Sequence, residues 1–400
     1  MAVVAFASMS EKRLAARIGR MGTESAFEVL AKARRLESEG RRVIHLEIGE
    51  PDFDTPSHIK EAAAEALREG FTHYVAAPGL PEVREAVGDF FGRTGRARYP
   101  ADRVVVTPGA KPIMFYAIMA LCEEGDEVLY PDPGFPMYES ITSFAGATPV
   151  PVPLHEEHEF RMDPEEVAAL VTDRTRLLIL NTPHNPCGSA LTREDVEALA
   201  SLAMEKDFYV LSDEVYWAIR YGSEHASIVS IDGMQDRTIL LDGCSKTYAM
   251  TGWRLGFCGL PTELAEPFSR LIINSVSCTA AFSQRAVLAA VTGPWEPIQA
   301  MIDEFEKRRA VIVEGLNRIP GFSCLEPGGA FYAFPNVKDV GVPSERVADF
   351  LLYEAGVACL SGTAFGPNGQ GYLRFSYANS VEAIRDALDA IESTLPQLTG

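Results

Sequence analysis

The chain has 400 residues, 47 % of them hydrophobic and 23 % charged, with a formal net charge of −20 at pH 7. That composition fits a globular protein with a large core and room for two domains, while the acidic balance argues against nucleic-acid or anionic-membrane surfaces, which need a positive face. Seven scattered cysteines with no C-x-x-C spacing read as free thiols in a reducing compartment, without a disulfide framework or a metal knuckle. Residues 1–10 are apolar but carry no basic leader, so they fail the signal-peptide pattern, and Met1 or Met9 is the start. No stretch reaches the roughly 18 apolar residues of a membrane span, and a cytoplasmic protein is expected.

Residues 11–40 read as an amphipathic helical arm closed by Gly40, followed by a short strand at 43–48 and the break Gly-Glu-Pro-Asp-Phe53. Helical periodicity at 58–69 and 81–94 precedes a strand at 103–107 and a helix at 112–121. Apolar strands then recur at 127–130, 177–181, 209–212, 238–241 and Gly256–Gly259. This alternation predicts a wound α/β domain with a mostly parallel sheet, its ligand crevice at the carboxyl ends of the strands. After about residue 293 a long charged helix (295–318) leads into 322–325 and 331–334. A helix at 344–354, strands at 357–360 and 372–377 and a final helix complete a smaller α+β domain. The expected division is therefore 1–55 (arm and part of the small domain), 56–292 (large cofactor-binding domain) and 293–400 (small domain).

Lys246 lies across a small-residue turn from the strand 238–241, and Arg254 follows Thr-Gly-Trp eight residues on. An amine nucleophile beside an anion-binding cation suits pyridoxal 5′-phosphate, whose aldehyde needs an amine and whose phosphate needs a cation. Asp213 and Tyr216, in Ser-Asp-Glu-Val-Tyr216 just past another buried strand, are placed to keep a pyridine nitrogen protonated and to bond its 3-oxygen. Each also has a plain structural reading, as a helix N-cap and as a core aromatic; Glu214 points elsewhere. Asn185 sits in Thr-Pro-His-Asn-Pro-Cys-Gly188, a proline-stiffened loop that fixes its amide toward a ligand or serves only as a turn. Gly109, Ala110 and Lys111 open a helix after a strand, where backbone N–H groups and the helix dipole suit a phosphate. Phe135 stacks on a planar ring or packs in the core. Arg374, among Leu and Phe in a strand, needs a partner: a bidentate carboxylate ligand or an internal salt bridge. His155 and His158 lack the spacing and the further ligands of a metal site, and the basic run at 306–309 reads as a solvated helix face.

In this order the runs Gly-Glu-Pro-Asp-Phe, Asn-x-x-x-Asn-Pro-x-Gly, Ser-Asp-Glu-x-Tyr, Ser-Lys-x-x-x-Met-Thr-Gly-Trp-Arg and Leu-Arg-Phe-Ser-Tyr span about residues 21–379. They resemble class I/II aminotransferases of pyridoxal-phosphate fold type I, and within these the bacterial aspartate-aminotransferase-like subgroup. The resemblance implies a seven-stranded-type, mostly parallel sheet and ping-pong amino transfer between an L-amino acid and a 2-oxo acid. It implies that Lys246 bonds the cofactor and shuttles the α-proton, and that Asp213 pairs the pyridine nitrogen. Tyr216 and Asn185 would hold the 3-oxygen and Phe135 would stack on the ring. Gly109, Ala110, Ser245 and Arg254 would bind phosphate, and Arg374 with Asn185 and the backbone at Gly49 the substrate α-carboxylate. Tyr74 would reach the partner subunit's phosphate, implying an obligate homodimer with shared sites. Cys187 stands where the family's Asn-Pro-Thr-Gly turn has Thr, a departure that should spare Asn185.

A lysine at the position of Lys111 meets a substrate's distal carboxylate in that subgroup, which favours aspartate and glutamate, with 2-oxoglutarate or oxaloacetate as acceptor. Glu24, in the arm near the substrate, would repel a dicarboxylate unless it salt-bridges Lys111. Alanine or aromatic donors are the alternative. A lyase on the same scaffold, or a non-catalytic regulatory protein, are the remaining readings; regulators of this type carry a basic DNA-binding domain ahead of the fold, and only a short arm precedes it here.

Overall fold

A computed structural model describes residues 14–222 and 224–399. The apolar residues 1–10, both candidate starts and the first residues of the arm lie outside the described residues. Twelve strands are named here: β1 (Ile44–His45), β2 (Val104–Thr107), β3 (Glu127–Asp132), β4 (Thr148–Pro153), β5 (Thr175–Asn181), β6 (Tyr209–Asp213), β7 (Thr238–Gly243), β8 (Gly256–Gly259), β9 (Tyr332–Ala333), β10 (Val357–Ala358), β11 (Leu360–Ser361) and β12 (Leu373–Ser376).

Seven strands form the main sheet in the order β2-β8-β7-β6-β5-β3-β4. Six share one direction, and β8 alone runs against them, antiparallel to its neighbours β2 and β7. The interior strands are apolar on both faces, as a sheet covered by helices on both sides requires. Alternate residues serve opposite cores: Leu178, Leu180, Val210 and Leu240 pack with the helices Ser57–Arg68, Pro81–Arg93, Arg193–Lys206 and Ala281–Thr292. Leu177, Ile179, Leu211 and Ile239 pack with Lys111–Leu121, Met137–Ala145 and Ala265–Ser275.

The edge strand β4 has no counterpart among the predicted strands, because Pro149, Pro151 and Pro153 interrupt it. Thr148 N and Leu154 N donate back to Asp126 O and Asp132 O, so the alternating prolines put their missing donors on the open side.

A second core gathers the C-terminal segments. Its sheet is antiparallel, β11-β12-β9, beside a separate parallel pair of β1 with β10. The expected strand 357–360 is thus divided between two sheets, and only Ile44–His45 of the expected strand 43–48 joins a ladder. The arm is not one helix either: a 3-10 turn (Ala16–Arg20) and an extended piece precede the helix Ser25–Ser38. Gly22 N donates to Ser140 Oγ at 2.9 Å, which holds that extended piece down. The helix expected at 344–354 is α only over Ser344–Phe350 and widens into a π turn ahead of left-handed Gly356.

The helix Glu296–Arg318 joins both cores, Ile298 and Ile302 in one and Phe305, Ile312 and Leu316 in the other. Its basic run is not a solvated face throughout. Arg308 is buried, bonds Asp52 at 2.6 Å and lies 4.8 Å over the Phe53 ring, clamping the Gly-Glu-Pro-Asp-Phe loop. No helix among the described residues is long and apolar enough to cross a membrane.

His45 ties the arm helix to β1, with Nδ1 2.8 Å from Glu47 Oε1 and Nε2 3.1 Å from Glu37 Oε1. The hydrogen bond to Glu47, partly offset by burial and aided by the charges of Glu47 and Glu37, raises its pKa from 6.5 to about 9. The folded state therefore holds the imidazolium proton more tightly than the unfolded chain. This contribution to stability is full below pH 6.5 and is lost as pH rises through about 9. His45→Gln is expected to flatten the fall in melting temperature between those pH values; a variant whose pH profile parallels the parent's would refute this.

Candidate active site

The carboxyl ends of β5, β6 and β7 open into a cavity of about 510 Å³. Most of the residues singled out in the sequence line it: Glu24, Gly49, Ala110, Lys111, Phe135, Asn185, Asp213, Tyr216, Ser245, Lys246, Arg254 and Arg374. Gly109 lies directly behind the lining. Tyr74 is apart from it and 87 % exposed.

Lys246 is carried by a single helical turn, Cys244–Thr247, straight after β7. Its Nζ donates to Gly49 O and lies 5.8 Å from the ring centres of Tyr216 and Phe331. Burial lowers its pKa to about 8, with Glu50 opposing and Arg374 assisting. A fraction of the amine is then neutral near pH 7, which a nucleophile requires.

Asp213, the last residue of β6, is 2 % exposed. No helix begins after it, so the N-cap reading fails. Its Oδ2 accepts from Tyr138 OH at 2.7 Å. Burial raises its pKa to about 7 against the hydrogen bonds from Tyr138 and Val215 N, and the nearby Asp242 and Glu214 charges add to the rise. Tyr216 OH meets Tyr332 OH at 2.7 Å, and burial holds the Tyr216 phenol well above its ordinary value.

Arg374, in β12, is 4 % exposed. Its guanidinium donates to Asn185 Oδ1 at 3.0 Å and to Glu47 O, both uncharged acceptors, and its Nε has no partner among the described residues. The internal salt bridge is therefore absent from these contacts, and the fork is held by neutral groups as an anion site would be. Asn185 is itself fixed, its N–H donating to Asn181 Oδ1 at 2.9 Å while Asn181 Nδ2 donates to Asp213 O at 3.0 Å.

At the other end, Gly109 adopts φ +95°, and a Cβ there would collide with the Arg254 guanidinium. The cradle is thus a close approach of backbone to a cation at the start of the helix Lys111–Leu121, with Ser245 also on the cavity lining. These groups suit a phosphate, and the buried carboxyl and phenol with the half-buried amine suit a pyridine ring bearing a 3-oxygen and an aldehyde. Phe135 flanks that space, edge-on to Tyr138 at 5.7 Å.

Among the cavity residues that escaped the sequence reading are Tyr138 and Tyr332. Each acts on a group far off in the chain; the aromatic run after Gly328-Gly329 was the only local signal for Tyr332. A buried ionic network behind the site was missed too. Arg96, stacked 4.4 Å from the Trp217 ring, bonds Asp242 at 2.7 Å and lies 3.9 Å from Glu214. Glu214 points away from the cavity, accepting from Ser212 at 2.8 Å and Ser227 at 2.6 Å and meeting His225 at 2.8 Å. His155 and His158 pair instead with Glu166 at 3.0 Å and Asp163 at 3.3 Å.

Residues 41–391 match the family Aminotransferase class I and II, and the chain belongs to it, as an aminotransferase built on fold type I architecture. It is 42 % identical over 357 residues to an aspartate aminotransferase of Pyrococcus abyssi, covering 88 % of this chain and 92 % of the relative. It is also 42 % identical over 359 residues to aromatic-amino-acid aminotransferase 2 of Thermococcus litoralis, covering 89 % and 92 %. A solved structure of alanine aminotransferase from Pyrococcus furiosus superposes with a TM-score of 0.92 at 33 % identity, covering 96 % of this chain and all of that one.

Proposed function

We propose that the cavity holds pyridoxal 5′-phosphate and moves an amino group from an L-amino acid to a 2-oxo acid by ping-pong exchange. Gly109, Ala110 and Lys111 at the helix start, with Ser245 and Arg254, hold the phosphate. Tyr216 and Asn185 bond the 3-oxygen, Phe135 lies on the ring, and Asp213 keeps the ring nitrogen protonated. The bound cofactor supplies an electron-withdrawing ring that acidifies the substrate's Cα–H bond. Lys246 takes that proton at Nζ and returns it on the far side of the exchange. Arg374, with Asn185 and the Gly49 backbone, seats the α-carboxylate. Lys111 favours a substrate with a distal carboxylate, aspartate or glutamate, with 2-oxoglutarate or oxaloacetate as acceptor.

Exposed Tyr74 fits a homodimer in which it completes the partner's phosphate site. The division 1–55, 56–292 and 293–400 is the domain arrangement we favour. Seven free cysteines, six of them buried, suit a cytoplasmic setting.

The observation that carries this reading is one half-buried lysine, its amine held by the Gly49 carbonyl, sharing a cavity with a buried arginine whose contacts are neutral. An absorbance spectrum of the purified protein, before and after L-aspartate, L-glutamate, L-alanine or L-phenylalanine, tests it. A visible cofactor band that moves to the near ultraviolet with one or more donors is expected. No band even after supplying pyridoxal phosphate, or a band that no amino acid moves, would refute the reading.

A further inference from the structure

If amino donors bind as proposed, their side chains meet a lining that is largely apolar and includes Ile48, Met114, Leu360 and Phe365. Glu50, also on the lining, is tied to Thr251. Two further charges on the lining, Lys111 and Glu24, are paired with each other. Glu24 comes from the extended piece of the arm, not from the sheet, and its side chain is only 18 % exposed. With Gly22 on Ser140 it fastens that piece at two points, and the next residues, Ser25, Ala26 and Phe27, form part of the cavity wall.

We propose that Glu24 is a specificity-determining residue: an internal carboxylate that occupies Lys111 where a dicarboxylic substrate would otherwise reach it. Closed, the pair presents apolar and aromatic donors with a pocket of no net charge at that end. A dicarboxylate enters only by displacing Glu24, because two carboxylates facing one ammonium repel each other. This deepens the aminotransferase reading and rests on it.

Glu24 has a second seat for the displaced state. It occupies the N-cap position of the helix Ser25–Ser38 with extended dihedrals (φ −92°, ψ 110°), yet its side chain makes no capping bond. The N–H groups of the first turn and the positive end of the helix attract a carboxylate at that position. Moving from Lys111 to its own helix start exchanges one charge-assisted contact for another, so displacement is reversible. One site then takes aspartate, glutamate or a dicarboxylic oxo acid with the pair open, and an apolar or aromatic amino acid with it closed.

The test measures binding to cofactor-loaded protein of two unreactive acids, succinate and 3-phenylpropionate, by calorimetry and by displacement of the visible band. Glu24→Gln is expected to tighten succinate by at least about tenfold and to change 3-phenylpropionate by less than about threefold. In a Lys111→Met background the same substitution is expected to leave succinate unchanged. A succinate to 3-phenylpropionate ratio that Glu24→Gln moves by less than twofold overturns the assignment, as does tightening that persists without Lys111. In both cases the aminotransferase reading stands, since the probes still bind. If neither probe binds and no amino acid moves the band, that reading falls and the role of Glu24 with it.

Discussion

Lys246→Ala is expected to lower kcat by at least about 10⁴-fold, the upper range for loss of a positioned proton-transfer group, while leaving the fold intact. The substitution removes an amine that nothing else in the cavity replaces. The other lysine on the lining, Lys111, is paired with Glu24 at the substrate end. Lys246 Nζ sits between the Gly49 carbonyl and the Tyr216 and Phe331 rings, a seat that only a side chain rising from the end of β7 reaches. Because the truncation leaves space, a small primary amine in the buffer is expected to restore part of the rate, increasing with its concentration. Stopped-flow absorbance of the half-reaction with a preferred donor is the measurement. Appreciable amino transfer by the variant without added amine would remove Lys246 from the mechanism.

Asp213→Asn should cost roughly 10³-fold in kcat, the scale of losing a preorganised electrostatic partner in a dry site. Asparagine keeps the shape and an acceptor for the Tyr138 hydroxyl, so the loss isolates the negative charge that holds a proton on the ring nitrogen. Stability should move the other way. Burial raises the Asp213 pKa from 3.8 to about 7, so between those values the folded, cofactor-free protein binds more protons than the unfolded chain. Its stability therefore declines as pH rises through that window, and above pH 7 the buried carboxylate is a standing cost. The cofactor-free Asn variant is accordingly expected to melt higher than the parent at pH 8 and to match it more closely near pH 4. Thermal melts at the two pH values, set beside kcat, check both halves. A variant as active as the parent would sever Asp213 from catalysis.

What could be read in advance was what lay next to a buried strand. Lys246, Asp213 and Asn185 follow apolar runs within a few residues, so a single stretch of chain carries both the element and its functional end. Gly109 was less legible, since a glycine before a helix is weak evidence by itself. The unread part is made of contacts across the chain. Tyr138 reaches Asp213 and Tyr332 reaches Tyr216 over 75 and 116 residues. The Arg96 network links three segments, and no local pattern distinguishes a buried arginine in Gly-Arg-Ala-Arg98 from a solvated one. The edge strand β4 escaped because its prolines oppose strand propensity, while its neighbour and its open edge tolerate them. The arm failed differently: helical periodicity continues through 21–24, but the Gly22 contact with Ser140 and the Glu24 contact with Lys111 hold that piece extended.

The helix Glu296–Arg318 has 23 residues and is therefore roughly 34 Å long. One rod seated in both cores leaves no slack linker between them, so the segment that bears Arg374 cannot swing freely from the one that bears Lys246. Any widening of the cavity must flex or slide that rod, with Arg308 carrying the strain to the Asp52 loop. Access to this site is set by the stiffness of a beam, and its travel is correspondingly short.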